Sequence, residues 1–516
     1  MHGFFVIVIC LLFVAAAMDA SAKKRRVKAA YNFKPKPAYG GARFAGNKDL
    51  KKAGLFRKKG LFFGFSPDGS RELYYQKAGH MLLVCAARGG KLLTVLVSLI
   101  MRLGSMYSLF LLDPKLELTP IIAKARRKCG NFFVWNPYGL HSELFRALGV
   151  KLARINPCVD IVPDLITCYA ECRKLLSTFW DEPSGGEDHH WLPNGLDLAT
   201  AVLYTLRKYG RPEECNLPAV RMVLSGGNGI SFFRFAREAM KIADPYVRQG
   251  LQRFAEAGAE ESKELMSILS VALTQTAWLN NPVIAESLKH ADCSLMNMKT
   301  EKGTTFCAGL PLDHMDDTKS VAMVSGWLLR CAVHQGSRGH TVPCVAVIDE
   351  MSKLDAGPSR QWYDAFSYAA GAGGLQIVGV YQDASQIIRQ FGQNALNTVI
   401  QNCGVTLWFV IRDTFTRQTV SDLAGTKEVI TQQRSVTIDH VTGEPHVSDS
   451  GAQASVPLIA PFEVGLLDGQ TEMIAFCEGV PAVIKGRRKP YTEIESGYGD
   501  NPYYQPKGFW KSIFAR

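Results

Sequence analysis

The sequence of 516 residues has no C-x-x-C pair, no internal repeat and no apolar run of comfortable transmembrane length. The thirteen cysteines are scattered, which argues against a disulfide framework and is typical of reduced, buried thiols on the cytosolic side. The closest two, Cys168 and Cys172, have no second cysteine or histidine pair to match them, so no zinc site is predicted. The missing repeat argues against solenoid and propeller architectures.

The longest uncharged apolar run spans residues 4–18 and reads FFVIVICLLFVAAAM. It is shorter than the ~20 residues that a helix needs to cross a bilayer. Ala20, Ser21 and Ala22 resemble a signal-peptidase site, but positive charge follows the run instead of preceding it, which favours an anchor. We therefore expect a single-pass protein of the bacterial inner membrane with its main body in the cytoplasm.

Positive charge is concentrated near the N-terminus. The chain has a net charge of +12, and residues 23–60 hold fourteen lysines or arginines against one acid, so the remainder is close to neutral. Such a segment suits anionic membrane lipids or nucleic acid, and it is also typical of a solvated linker. We predict a basic linker with the membrane or DNA as its partner.

From about residue 78, short apolar runs alternate with helical patterns, which is typical of a parallel sheet covered by helices. This rhythm stops near residue 155 and resumes near residue 304, whereas residues 160–300 read as helices separated by glycine-rich turns. Strands before and after a helical block can belong to one sheet. The sequence therefore predicts an α/β fold with an inserted all-α domain.

The stretch CAARGGKLLT, residues 85–94, resembles a phosphate-binding loop with parts missing. Such loops follow G-x-x-x-x-G-K-[ST]: backbone N–H groups surround phosphate, the lysine reaches the outer phosphates and the hydroxyl binds magnesium. Gly90 and Lys91 fit, whereas Cys85 stands in place of the first glycine and Leu92 in place of the hydroxyl residue. We interpret the stretch as a true but eroded ATP-binding loop.

A second segment, CVAVIDEMSKL at residues 344–354, describes a buried strand that ends in two acids, Asp349 and Glu350. Ligands bind beyond the carboxyl ends of parallel strands. In P-loop ATPases the aspartate holds the magnesium shell and the following glutamate polarises the attacking water. A third strand, LQIVGVYQD, ends in Gln382, at the position where RecA-like cores carry a γ-phosphate sensor.

With these motifs in place, the chain resembles a family, the type IV secretion coupling proteins, which are membrane-anchored ATPases of conjugation. The resemblance covers residues 78 to about 490 and rests on LFLLDPKLEL, RRKCGNFFVWNPYG, VAVIDEMSKL, VGVYQDASQIIRQFG, NCGVTLWFVIRDTFTRQTVSDLAG and AFCEGVPAVIKGRRKPY. It implies a RecA-like P-loop nucleotide-binding domain that uses ATP and Mg2+ and assembles as a homo-hexamer hydrolysing ATP between subunits.

The resemblance also assigns roles to individual residues. The family's phosphate loop aligns with Arg88, Gly89, Gly90 and Lys91. Asp349 would bind the metal, Glu350 would activate water, Gln382 would sense the γ-phosphate, and Arg412 and Arg417 are candidates for an arginine finger. The chain departs from the family at Ala86 and Ala87, which replace a usual proline and threonine, and in offering one short N-terminal span instead of two.

The predicted organisation follows from these patterns. Its parts are an anchor or signal-like segment (1–22), a basic linker (23–77), a nucleotide-binding domain in two parts (78–158 and 303–490), an all-α domain between them (159–302) and a C-terminal tail (491–516).

The leading hypothesis is a coupling ATPase that recruits DNA–relaxase complexes or secreted effector proteins and feeds them to type IV secretion channel components. Because Cys85 and Leu92 erode the loop, the alternative is a non-hydrolysing nucleotide-binding adaptor of the same system. A periplasmic protein released by cleavage after Ala22 is disfavoured, since no ATP is available in that compartment.

Overall fold

The computed structural model describes Met18 and residues 41–183, 188–257, 262–310, 318–333, 342–353, 361–366, 374–438 and 445–503. Its main feature is a sheet of eleven strands with the order β2-β1-β13-β12-β9-β3-β8-β7-β4-β6-β5. These strands are β1 Leu61–Phe65, β2 Glu72–Tyr75, β3 His80–Cys85, β4 Ser108–Leu112, β5 Phe132–Trp135, β6 Thr305–Ala308, β7 Cys344–Ile348, β8 Leu375–Tyr381, β9 Cys403–Phe409, β12 Glu472–Cys477 and β13 Ile484–Arg487.

Seven neighbouring strands, from β9 to β5 in the sheet order, are parallel, and the four at the other side are antiparallel. The central strands β3, β8 and β7 are buried at every position. This burial explains their continuous apolar sequences, because a parallel sheet is covered by helices on both faces. The predicted α/β fold with a mostly parallel sheet flanked by helices is confirmed.

Short and long helices connect the strands. Their bounds are α1 Asn47–Lys52, α2 Val97–Met101, α3 Leu118–Arg126, α4 Ser142–Ala147, α5 Cys168–Ser177, α6 Asp188–Tyr209, α7 Leu217–Leu224, α8 Phe232–Ala239, α9 Pro245–Glu256, α10 Lys263–Gln275, α11 Pro282–Leu288, α12 Asn297–Thr300, α13 Thr318–Val333, α14 361–366, α15 Ala384–Phe391, α16 Ala395–Asn402, α17 Thr414–Ala424, α18 Pro461–Gly465 and α19 Tyr491–Ile494.

The chain between β5 and β6 is helical wherever the structure describes regular elements of four or more residues. The two ends of this helical block lie side by side, because Ile155 forms a parallel bridge with Cys293 and the Asp292 N–H donates to the Arg154 carbonyl at 2.9 Å. The block can therefore leave and re-enter the sheet without separating β5 from β6. Both belong to one compact unit, residues 44–420 and 460–516.

A second unit comprises residues 1–43 and 421–459. Its described part contains a long antiparallel hairpin of β10 Thr426–Ile438 and β11 Pro445–Pro457, in register from the pair Thr426 and Pro457 to the pair Ile438 and Pro445. The sequence patterns did not indicate this hairpin.

The N-terminal expectations differ most from the structure. The predicted linker 23–77 contains α1, β1 and β2, and both strands belong to the main sheet. The prediction of a single-pass inner-membrane protein is wrong. Within the described ranges, no helix has the length and apolarity needed to cross a bilayer. The apolar run 4–18, on which that prediction depended, lies outside the described residues except for Met18.

Candidate nucleotide-binding site

Three neighbouring parallel strands bring the predicted motifs to one edge of the sheet. β3 leads into the loop at residues 86–91, β7 leads into Asp349 and Glu350, and β8, which lies between them, leads into Gln382. The carboxyl ends of parallel strands share an edge, where ligands bind in open α/β sheets. The structure therefore places the three motifs, separated by up to 300 residues in the chain, side by side.

The loop after β3 is a tight turn that depends on two glycines. Gly90 has φ of 79°, and a Cβ on Gly89 would lie 2.4 Å from Cys85 Sγ and 2.8 Å from the Ala86 carbonyl oxygen. The Gly89 N–H donates to that carbonyl at 2.9 Å. Successive residues in such left- and right-handed conformations form a concave backbone surface that suits anions.

Backbone strain is concentrated around this edge. Among the described residues, five that are not glycine have a positive φ, and three of them are Arg88 at 59°, Glu350 at 69° and Val410 at 53°. A non-glycine residue in this region costs about 1–3 kcal/mol, and such residues cluster at functional sites. Strain after β3, β7 and β9, which end at the same edge, is thus an independent indication that this edge binds a ligand.

Lys91 and Asp349 form the central ion pair of the site. Lys91 Nζ lies 2.6 Å from Asp349 Oδ1, in an orientation that does not give a directed hydrogen bond. Each side chain is 17% exposed, so a small ligand from solvent can reach both. The pair brings the candidate phosphate-binding cation and the candidate metal ligand together.

Glu350 and Gln382 follow the ends of β7 and β8. The Asp349 N–H donates to the Leu112 carbonyl at 3.1 Å, which continues the pairing of β7 with β4 and leaves Glu350 just beyond it. The Gln382 N–H donates to Gln386 Oε1 at 2.8 Å, and Asp383 caps α15 by accepting from the Gln386 N–H at 3.0 Å. Both candidate side chains are half-buried.

The two candidate arginine fingers differ in their surroundings. Arg412 is exposed three residues after β9, the strand that pairs with β3. Arg417 is half-buried, donates from Nε to the Ile411 carbonyl at 3.2 Å and lies against Gly465 of its own chain. Arg412 is thus the candidate whose side chain faces solvent.

The base of the loop is positively charged. Burial raises the pKa of the Cys85 thiol to about 11, although the nearby positive charges of Arg488, Lys91 and Arg412 oppose this increase. Cys85 is therefore a neutral thiol at the position where phosphate loops usually have glycine. Its sulfur fills the space under Gly89.

Sequence reasoning gave no role to two buried charged residues near the site, Asp113 and Arg488. Asp113 follows β4 and accepts hydrogen bonds from the N–H groups of Glu117, Leu118 and Thr119 and from the Thr119 hydroxyl. Burial raises the pKa of this carboxyl to about 6. It lies within the segment LFLLDPKLEL, whose apolar run ending in an acid is the same signal that singled out Asp349.

The donor set fits Mg2+ only together with a nucleotide. Within the described ranges, no group of three or more His, Cys, Asp or Glu side chains could hold a metal ion. Asp349 supplies one carboxylate, Leu92 supplies no hydroxyl, and the Thr94 hydroxyl is engaged with the Gly90 carbonyl at 2.8 Å. Magnesium commonly binds through one or two carboxylates, substrate phosphates and water, so this set is sufficient.

The chain is similar to proteins of type IV secretion systems. A family model described as type IV secretory system conjugative DNA transfer matches residues 43–503. The chain is 22% identical over 388 residues to the type IV secretion system-coupling protein VirD4 of Bartonella henselae, and 23% identical to that of Bartonella quintana. Each alignment covers 73% of this chain but 57% of the relative, so the chain matches less than two thirds of these proteins.

Solved structures of the bacterial conjugative coupling protein TrwB have the same fold. An unbound form has a TM-score of 0.60 at 14% identity and covers 89% of this chain and 95% of its own. The complex with ADP and Mg2+ has a TM-score of 0.60 at 16% identity and covers 92% and 98%. The complex with the non-hydrolysable ATP analogue ADPNP has a TM-score of 0.60 at 15% identity and covers 89% and 96%.

Proposed function

The chain belongs to the type IV secretory system conjugative DNA transfer family, and on this premise we propose that it is a coupling ATPase. It binds ATP and Mg2+ at the carboxyl edge of its sheet and uses hydrolysis to drive DNA–relaxase complexes or protein substrates into a type IV secretion channel. The observation that carries this proposal is the 2.6 Å pair of Lys91 and Asp349 at the ends of two strands separated only by β8, which leads into Gln382.

Each candidate residue has a chemical role in this proposal. The N–H groups of Ala87, Arg88 and Gly90 and the Lys91 ammonium would bind the phosphates, and Asp349 would hold Mg2+, which would neutralise phosphate charge during transfer. Glu350 orients the attacking water, and Gln382 contacts the γ-phosphate. Arg412, exposed beside the loop, stabilises transition-state charge in a neighbouring subunit of a homo-hexamer, with Arg417 as the other candidate.

DNA is the favoured substrate. The family's described role is conjugative DNA transfer, and the net charge of +13 in residues 23–60 suits a phosphate backbone. Relaxase or effector proteins and the channel components are the protein partners in this proposal. The helical block between β5 and β6 is the proposed docking domain for substrate.

The test is ATP turnover by the full chain with and without single-stranded DNA, beside Lys91→Ala, Glu350→Gln and a control, Lys124→Ala. Lys124 is an exposed lysine in the last turn of α3, outside the helical block. We expect single-stranded DNA to stimulate ATP turnover. The turnover rate should fall about 100-fold or more in Lys91→Ala and Glu350→Gln and should be retained in the control. Glu350→Gln should keep its affinity for ATP. If the folded and assembled natural protein turns over ATP no faster than Glu350→Gln, the proposed ATPase activity is contradicted.

A second candidate function is supported by the loop itself. Leu92 removes the hydroxyl that binds Mg2+ in intact loops, and Cys85 replaces the first glycine. Both changes suit a nucleotide-binding adaptor that recruits substrate for another motor without hydrolysing ATP. In that case ATP would bind, turnover would be absent, and Glu350→Gln would change nothing.

A further inference from the structure

Arg488 is one of the largest fully buried side chains among the described residues, with 1% of its surface exposed. It directly follows β13, on the antiparallel side of the sheet. Nη2 donates to the Gly469 carbonyl at 2.7 Å and Nε to the Glu472 carbonyl at 3.2 Å. Because a buried charge is costly unless its donors are satisfied, these contacts are what allows the guanidinium to remain inside.

Arg488 has no directly paired acid. In the part of the chain that the structure describes, it has no ion pair within 4.0 Å, and its hydrogen-bond acceptors are neutral oxygens. Burial lowers the pKa of the guanidinium to about 10, while the more distant charge of Asp468 opposes this decrease, so the group remains charged at neutral pH. A buried cation without a directly paired acid makes the surrounding potential positive, since the interior screens it weakly.

Two contacts connect this cation with the end of the phosphate loop. Arg488 Nη1 donates to Thr94 Oγ1 at 2.6 Å. The same hydroxyl donates to the Gly90 carbonyl at 2.8 Å, and the Thr94 N–H reaches that carbonyl at 2.9 Å. Arg488 is therefore one hydroxyl away from the glycine that precedes Lys91.

A third contact connects it with the start of the loop. The guanidinium lies 3.8 Å from the ring centroid of Phe409, the last residue of β9. The next residue, Val410, is strained at φ of 53° and accepts a hydrogen bond from the Ala86 N–H at 3.3 Å. One side chain thus supports both ends of the loop, near Ala86 and at Gly90.

We infer that Arg488 is a positioning residue of the phosphate loop: through Thr94 and Phe409 it fixes residues 86–90 and places a cation behind them. The inference rests on the proposed function, because that proposal makes polyphosphate the ligand of the loop. It explains how a loop without the first glycine or the hydroxyl keeps a shape and charge suited to phosphate. Thr94 connects Arg488 with the loop, although helical spacing along the sequence places this residue away from the nucleotide.

The binding test uses the full chain and a fluorescent ADP with Mg2+ as the probe. Thr94→Val removes the hydroxyl and keeps the shape of the side chain, whereas Thr94→Ser keeps the hydroxyl. We expect Thr94→Val to raise the Kd about tenfold, as the loss of a hydrogen bond to a charged group would. Thr94→Ser should bind like the natural protein. Equal affinity in the two variants would overturn the inference.

A matched control separates positioning from general stability. Arg126 is also fully buried, and it donates to neutral oxygens of Thr305, Leu103 and Tyr107, away from the loop. Arg488→Met and Arg126→Met should both lower the melting temperature, but only Arg488→Met should raise the Kd of the folded protein. Equal loss of affinity in both would overturn the inference. If Arg488→Met does not fold, the Thr94 pair decides.

Hydrogen exchange distinguishes this inference from the proposed function. In Thr94→Val without nucleotide, amides of residues 86–91 should exchange faster, while those of β4 should not change. If the natural protein binds no ADP, the proposed function is contradicted. The exchange result then decides by itself whether Arg488 and Thr94 order the loop. Unchanged exchange at residues 86–91 would overturn the inference by itself.

Discussion

Leu92 is the residue whose side chain departs most directly from phosphate-loop chemistry. It is half-buried at the first position after Lys91, where intact loops place a hydroxyl on Mg2+. Leu92→Thr should restore this ligand. We expect a several-fold increase in turnover and a lower Mg2+ requirement, measured by steady-state ATP hydrolysis over a Mg2+ titration.

The adjacent leucine provides the control. Leu93 is 41% exposed and one helical step further round, so Leu93→Thr introduces the same hydroxyl away from the nucleotide. Its turnover and Mg2+ dependence should match those of the natural protein. If Leu92→Thr and Leu93→Thr change turnover equally, the missing Mg2+ ligand at position 92 is not what limits turnover.

Asp113 makes stability depend on pH. Burial raises the pKa of this carboxyl from 3.8 to about 6, so the folded state binds the proton more tightly than the unfolded state. Below about pH 4 the protonated carboxyl contributes about 3 kcal/mol to the free energy of unfolding, and this contribution is lost as the pH rises through 6. Asp113→Asn does not titrate and keeps an oxygen for the Thr119 N–H.

The measurement is the unfolding free energy of the natural protein and of Asp113→Asn between pH 4 and 7, without nucleotide or Mg2+. The variant should gain stability relative to the natural protein as the pH rises. A difference between the two that is constant over this range would show that Asp113 does not titrate there.

Local patterns were enough to propose Lys91, Asp349, Glu350 and Gln382, because Asp349, Glu350 and Gln382 stand at the ends of apolar strands and Lys91 stands in the glycine-containing loop after one. The ion pair between Lys91 and Asp349 agrees with that proposal. Arg488 could not be found in this way. In the segment KGRRKPY it resembles a surface charge, and its partner Thr94 is 394 residues away in sequence.

At the scale of elements, the start of α15 controls where Gln382 lies. Asp383 caps this helix, and Asp383→Ala should cost about 0.5–2 kcal/mol while Asp383→Asn keeps the cap. Because Gln382 directly precedes the cap, we expect Asp383→Ala to lower ATP turnover as well as the melting temperature. Asp383→Asn should preserve both.

A cap elsewhere tests whether that loss of turnover is local. Ser231 caps α8 in the helical block by accepting from the Arg234 N–H at 3.3 Å. Ser231→Ala should lower the melting temperature and leave turnover of the folded protein unchanged. Comparable loss of turnover in Ser231→Ala and Asp383→Ala would mean that general stability, not the position of Gln382, is responsible.

The parallel strands were predictable because they are buried on both faces and therefore read as continuous apolar runs. β8, Leu375–Tyr381, is the apolar part of the predicted strand LQIVGVYQD. The short strands β1 and β2 were not predicted, since they follow the basic stretch within the predicted linker 23–77 and pair antiparallel at the far side of the sheet. The π-helical turn at Leu92–Leu96 also has no local sequence signal.

At the scale of the whole molecule, the uneven charge predicts salt-dependent DNA binding. Neutralising Lys23, Lys24, Arg25 and Arg26 to glutamine in the full chain should weaken binding to single-stranded DNA. It should also reduce the slope of log K against log salt by up to roughly 3, at about 0.7 per lost phosphate contact. Fluorescence anisotropy over a salt series measures both, and an unchanged slope would exclude these residues from the DNA interface.

The order of strands in the sheet could not be derived from the sequence. Apolar runs show where strands occur, but not that β8 and β9 lie on either side of β3 while β4 and β6 lie beyond β7. These neighbours are set by contacts between distant segments. The predicted motifs could therefore be assigned to one site only through their likeness to a RecA-like core and to a family, and the structure supplies the geometry.

This interleaved order has a consequence for synthesis of the chain. Cys85 leaves the ribosome roughly 290 residues before Leu375, where β8 begins, and at about 5–20 residues per second this interval lasts roughly 15–60 s. During that time β3 has neither of its two sheet neighbours, and its apolar edges are open to aggregation or to a chaperone. A nascent chain that ends before β9 therefore cannot present the complete candidate site, and a ligand of this site could stabilise only molecules whose translation has passed β9.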